Sequence, residues 1–203
     1  MRKCRFKISC IHDIIDSDER GETHRPPACP GLPGASSLRK EVLIMFITSY
    51  KATLQKNRLM ALEPVRDYIC GDGDDTIKST AAAANVFVNC MHLHEEAEEH
   101  MVVLCLNASG RVTGCFEAAT GGINAVHFDV AGIIRKVLMM NCVSFIMAHN
   151  HPGESMTPSR EDLDATEAVK AASELLGLRL LDHFIISGIS GDYLSFREEG
   201  YIK

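Results

Sequence analysis

The sequence has no apolar run near the ~20 residues needed to cross a bilayer; its longest candidate is Val42 to Ile47. The opening MRKCRFKISC is charged, with no apolar stretch or small-residue cleavage site after it, so a secretory signal is not supported. No internal repeat and no phosphate-binding loop is present, and 203 residues are too few for a solenoid or a multidomain machine. The cysteines form no C-x-x-C pair. What remains is a chain of 46% hydrophobic and 24% charged residues, enough to bury a substantial core. A soluble, cytoplasmic protein without membrane partners is expected.

Eight cysteines (Cys4, Cys10, Cys29, Cys70, Cys90, Cys105, Cys115 and Cys142) lie mostly within apolar segments, which predicts buried reduced thiols rather than disulfides. The net charge of −6 is unevenly spread. Residues 1–66 hold 12 Lys and Arg against 7 Asp and Glu, while residues 67–203 hold 9 against 20. Any contact with nucleic acid belongs to the first part, because an acidic surface repels phosphate.

Four of the seven prolines fall between Pro26 and Pro33, where missing donors and fixed φ stop helix and sheet alike. Residues 1–37 therefore read as a tail with a Pro/Gly-rich linker. Residues 38–76 form a basic and apolar segment whose structure the pattern leaves open, and residues 77–203 form the main domain. The GDGDD stretch at 71–75 lacks the order and closing Glu of a calcium loop and reads as a turn.

Within the main domain, Ala- and Glu-rich residues 79–99 predict an amphipathic helix, and Met101–Leu106 a buried strand. The turn at 107–110 and Val112–Phe116 complete a hairpin. Asp129 caps a helix with an apolar face of Val130, Ile133, Ile134, Val137 and Leu138. Val143–Ala148 is the next strand, and the following helix runs from Ser159 to near Gly177. Leu178–Ser187 and Tyr193–Phe196 close the list of strands. The alternation predicts a mixed α/β (α+β) fold.

The chemistry concentrates in AHNHPGESMTPSRED, residues 148–162. His149 and His151 are two apart at a strand end, so both imidazoles project to one side. Asp162, early in the next helix, can turn its carboxylate back toward them. Two imidazoles and one carboxylate, with a position left for water, make the donor set of a catalytic zinc site. Helix capping by Ser159-x-x-Asp162 explains two of these residues by itself. The joint spacing H-x-H-x7-S-x2-D is rarer, arising by chance in roughly one or two per thousand shuffles of this composition. A hydrolytic site also needs a base; Glu95, Glu96, Glu98 and Glu99 are the candidates, and Glu99 abuts the strand.

A Glu before a strand followed by H-x-H-x7-S-x2-D resembles the JAMM (MPN+) metalloprotease motif. Six phrases, EEHMVVLCLN, ATGGINAVH, IMAHNHPG, TPSREDLDAT, LLDHFIISG and YLSFREEGYI, resemble its bacterial RadC-like branch in order and spacing. The resemblance implies a JAB fold, a β-sheet flanked by helices. It places the acid/base on Glu99, the zinc ligands on His149, His151 and Asp162, and the oxyanion-stabilising serine on Ser159. It also implies hydrolysis of an amide or isopeptide bond in a peptide or protein whose identity the sequence does not decode. The chain departs from the branch in reading HNHPGES where HNHPSGD is usual, in Ala131 where an arginine is common, and in lacking a clear helix-hairpin-helix before the domain.

Two rival readings attach to parts of the sequence. One is a DNA-associated repair or mobile-element protein using the JAB domain as a scaffold. The other is a nuclease suggested by His149-Asn150-His151, though that motif spreads its residues over a ββα finger. His92 and His94, placed on different faces of the expected helix, argue against a second metal site. His100, next to Glu99, reads as a surface histidine ahead of a supporting partner for that carboxylate, Asp182-His183 as a support of the sheet or site edge, and Met139-Met140 as core.

Overall fold

The computed structural model describes residues 44–72, 75–121, 129–153 and 155–203. The tail and linker expected over 1–37, part of GDGDD, most of ATGGINAVH and Glu154 of the HNHPGES loop lie outside the described residues. No helix among the described residues is long and apolar enough to cross a membrane.

A seven-stranded sheet organises the described residues. Its strands are β1 (Ile44–Leu54), β2 (Met60–Asp72), β3 (Glu99–Leu106), β4 (Val112–Gly121), β5 (Ser144–His151), β6 (Arg179–Ser187) and β7 (Tyr193–Ser195), in the order β2-β1-β4-β3-β5-β6-β7. Pairing is antiparallel except at β1/β4 and β5/β6. The fold is thus the mixed α/β class expected. Residues 38–76, left open by the sequence pattern, contribute β1 and β2 as a hairpin at one edge.

Alternate side chains of a strand point to opposite faces, and two cores result. One face carries Leu104, Leu106, Ile146, Ala148, Phe184 and Ile186. Helix α1 (Thr80–Asn85) and the wider turn Val86–Cys90 cover it with Ala83, Ala84, Val86 and Phe87. The other face carries Met101, Val103, Cys105, Phe145, Met147 and Ile185 against α2 (Val130–Met139) and α3 (Arg160–Leu175). The odd-numbered residues of β5 therefore point at α3, which is why His149 and His151 meet residues of that helix.

Several expectations are corrected. The helix over 79–99 is only Thr80–Asn85; the chain then widens through Val86–Cys90, turns left-handed at His92 (φ 54°) and makes a short turn at Leu93–Glu95. His92 and His94 thus sit in a turn rather than on opposite helix faces. Asp129 caps α2 as expected, its side chain accepting the amide of Gly132, and Ile133, Ile134 and Val137 are buried. Leu138 and Met139 are instead exposed, on the solvent side of the helix. Only Met140, at the C-cap, reaches the core. Strand β5 continues through His151, so both histidines belong to the strand itself.

The cysteines are corrected too. Cys105, Cys115 and Cys142 are buried free thiols, but Cys70 and Cys90 form a disulfide. No sequence signal marks this pair, because only the fold-back of β2 beside the Val86–Cys90 turn brings the two together.

Candidate metal centre

The centre forms where β3, β5 and α3 converge. Strands β3 and β5 are antiparallel with Met101 opposite His149, which brings Glu99, two residues earlier, level with His151. Their side chains emerge on the α3 face. The Nε2 atoms of His149 and His151 lie 3.1 Å apart. Glu99 Oε1 is 3.6 Å from His151 Nε2 and 3.9 Å from His149 Nε2. From α3, Asp162 Oδ1 is 3.4 Å from His149 Nε2 and Oδ2 is 3.9 Å from His151 Nε2. The structure therefore assembles Glu99, His149, His151 and Asp162 in one place.

Ser159 begins α3 with extended backbone, and its hydroxyl accepts the amide of Asp162 at 3.1 Å. Asp162 Oδ2 in return accepts the Ser159 amide at 2.8 Å and the Ser159 hydroxyl at 2.6 Å. This is a complete capping box, made with Asp in the place usually taken by Glu or Gln. It leaves Oδ1 directed at His149. Ser159 is solvent-exposed at the rim, whereas Asp162 is buried.

Hydrogen bonds to the remaining ring nitrogens orient the imidazoles. The Nδ1 of His151 is 2.7 Å from the carbonyl oxygen of Ser155. A carbonyl only accepts, so Nδ1 carries a proton. The Nδ1 of His149 is 2.9 Å from Nε2 of His183, whose own Nδ1 is 2.7 Å from Thr166 Oγ1. Both His183 and Thr166 are buried.

Asn150, between the two histidines, faces the other way. Its Nδ2 donates to the carbonyls of Glu96 (3.2 Å) and Glu98 (2.9 Å), and its Oδ1 accepts the amide of His100 (2.8 Å). Backbone on both sides of Glu99 is thereby fastened to β5. This consumes the side chain that a nuclease reading of His149-Asn150-His151 would need facing the ion. It also fixes the path of the chain into β3, since the carbonyls of Glu96 and Glu98 are held by Asn150.

The electrostatics follow from burial. Desolvation raises the pKa of the Glu99 carboxyl, with the His151 ring opposing the rise and the Asp162 carboxylate adding to it. Desolvation lowers His149 to about 4, Asp162 opposing and His151 reinforcing. His183 is held well below the ordinary histidine value by burial and by its two histidine neighbours. The imidazoles of His149 and His183 are therefore neutral near pH 7, the state that a metal ligand requires.

The donor chemistry fits a metal ion. Glu99, His149 and His151 each offer an atom within 4.8 Å of the others, and Asp162 presents Oδ1 beside them. Nitrogen and carboxylate donors without a thiolate suit zinc and related divalent ions.

Residues 77–201 match the RadC-like JAB domain. The chain belongs to this family. A UPF0758 protein of Aquifex aeolicus is 42% identical over 108 residues, 53% of this chain and 46% of the relative. One of Porphyromonas gingivalis is 40% identical over 105 residues, again 46% of the relative, so the matched part spans about half the length of these two proteins. The similarity runs longer in the UPF0758 protein of Carboxydothermus hydrogenoformans: 33% identity over 169 residues, 83% of this chain and 74% of that one.

Within this RadC-like domain, other expected residues take definite places. His100 is not a free surface residue: its Nδ1 is 2.9 Å from Glu117 Oε1 and its side chain is only 22% exposed. Asp182 lies behind the site, its Oδ1 accepting the amides of His183 and Arg197 and its Oδ2 the hydroxyl of Ser195. Ala131 is exposed on α2. Sequence reasoning missed Thr166 and the role of Asn150. The i, i+4 spacing of Asp162 and Thr166 on one helix face could have pointed to Thr166.

Proposed function

We infer that this RadC-like domain is a zinc-dependent metallopeptidase that hydrolyses an amide or isopeptide bond in a peptide or protein. The observation that carries the reading is the meeting of His149 Nε2 and His151 Nε2 at 3.1 Å with Glu99 and Asp162 alongside. Two imidazole nitrogens this close, flanked by two carboxylates, form a set of ligand atoms that one divalent cation can share. His149, His151 and Asp162 would hold zinc, which supplies Lewis acidity toward a water molecule and the scissile carbonyl.

The chain's own groups supply the rest. Glu99, half-sheltered and with a raised pKa, accepts a proton from the attacking water and later delivers it to the departing amine. A raised carboxyl pKa helps the second task, because the protonated acid persists closer to neutral pH. Asn150 keeps the Glu99 backbone in register with His151. Ser159, exposed at the rim, donates its hydroxyl to the developing oxyanion by turning that proton away from Asp162 Oδ2.

The test needs no known substrate. Zinc-loaded protein is incubated with a mixed peptide library in H₂¹⁸O, and new carboxyl termini are read by mass spectrometry. Chelator-sensitive ¹⁸O incorporation that disappears in Glu99→Gln is expected; incorporation that survives both treatments contradicts the reading.

A further inference from the structure

Behind the centre, His149 is linked to Asp162 through two buried residues, His183 and Thr166. Thr166 lies one helical turn after Asp162 on α3, and its hydroxyl donates to the Asp162 carbonyl at 2.6 Å. With its proton committed there, Thr166 Oγ1 accepts at its 2.7 Å contact with His183 Nδ1, so that nitrogen carries the proton. His183 Nε2 is then a lone pair. It accepts the Nδ1–H of His149 across 2.9 Å, which leaves His149 Nε2 unprotonated and pointing into the centre.

We propose that Thr166 and His183 are positioning residues that commit His149 to its Nδ1–H tautomer, so that its metal-binding nitrogen is bare before any ion arrives. The proposal rests on the reading of His149 as a ligand. Its direction is not the default, since an isolated neutral imidazole favours the proton on Nε2. His149 and His183 are completely buried, so the two contacts lie away from solvent. Asp182, the residue before His183, directs its carboxylate to the amides of His183 and Arg197 and to Ser195 Oγ. At Nδ1 of the His183 ring the contact is the Thr166 hydroxyl.

In this relay His149 and His183 both take the Nδ1–H form. Partners of a ligand's second nitrogen typically tune metal affinity by ~10–100-fold. The relay also ties two donors together, because the same hydroxyl that orients His183 grips the backbone of Asp162.

The experiment combines long-range ¹H–¹⁵N correlation spectra of metal-free protein with zinc affinity measured by chelator competition. In the wild type, His149 and His183 are expected to show the Nδ1–H pattern. Thr166→Val, nearly isosteric but without the hydroxyl, is expected to weaken zinc binding ~10–100-fold and to release His149 into the Nε2–H form. Thr166→Ser is expected to restore both. An Nε2–H pattern for His149 in the wild type, or a folded Thr166→Val that keeps wild-type affinity and tautomers, overturns the proposal. Should Thr166→Val fail to fold, the wild-type spectrum and the Thr166→Ser affinity decide. If the wild type binds no zinc while its spectrum shows the expected tautomers, the relay stands and the metal reading fails.

Discussion

Ser159 and Asp162 hold each other by three hydrogen bonds: the hydroxyl of Ser159 accepts the Asp162 amide, and Asp162 Oδ2 accepts both the amide and the hydroxyl of Ser159. The same pair thus starts α3 and fixes the carboxylate that faces His149. Capping and chemistry are superimposed on one serine, and they can be separated.

Ser159→Ala is expected to lose ~0.5–2 kcal/mol of stability through the missing cap and ~10²–10³ in turnover through the missing oxyanion donor. Ser159→Gly is expected to recover most of the stability and none of the turnover. Thermal melts and kinetics on a cleaved peptide check both. Wild-type turnover in the glycine variant would show that the serine is purely structural.

Asn150 satisfies three backbone groups from within the sheet. Removing its amide in Asn150→Ala breaks three partly buried hydrogen bonds, each worth ~0.5–1.5 kcal/mol. Urea denaturation is expected to show a loss at least that large, together with a drop in turnover as Glu99 loses its anchorage. A variant as stable and active as the wild type would show that the strand pairing of β3 and β5 alone places Glu99.

Acid should destabilise the metal-free protein. The folded-state pKa of His149 is depressed to about 4, and that of His183 is also depressed. The unfolded chain, with ordinary histidines near ~6.5, therefore binds more protons as pH falls. Stability is fully present above pH ~6.5 and is lost as pH falls toward 4. The groups facing His149 are Asp162, Glu99, His151 and His183. Glu99 acts in the opposite sense: its raised pKa means that ionising it costs stability as pH rises through that value. Because the two histidines are fully buried and Glu99 is not, their effect should dominate in chemical denaturation followed from pH 7 to pH 4. A flat profile would contradict it.

The parts of this molecule legible in sequence are those where a short-range rule and the fold agree. Asp129 and Ser159 are caps because a non-helical residue with a short oxygen side chain precedes each helix. His149 and His151 share a side because a strand has period two. The rest depends on long-range contacts. Residues 79–99 have helical composition, but Asn150, more than 50 positions away in sequence, holds the carbonyls of Glu96 and Glu98. Cys90 leaves the expected set of free thiols because β2 brings Cys70 beside it. His183 is reached only through β5 and β6 lying parallel, with Met147 opposite it, and Leu138 and Met139 follow the apolar pattern yet end up on the solvent side of α2.

The central claim, that this cluster is a metal centre in which Glu99 is the acid/base and His149, His151 and Asp162 are ligands, is tested most directly by metal content across three variants. Elemental analysis after zinc reconstitution and desalting is expected to give one zinc per chain for the wild type and for Glu99→Gln, and close to none for His149→Ala and Asp162→Asn. Loss of zinc in Glu99→Gln with retention in Asp162→Asn would exchange the two roles, and near-zero zinc in the wild type would contradict the account itself.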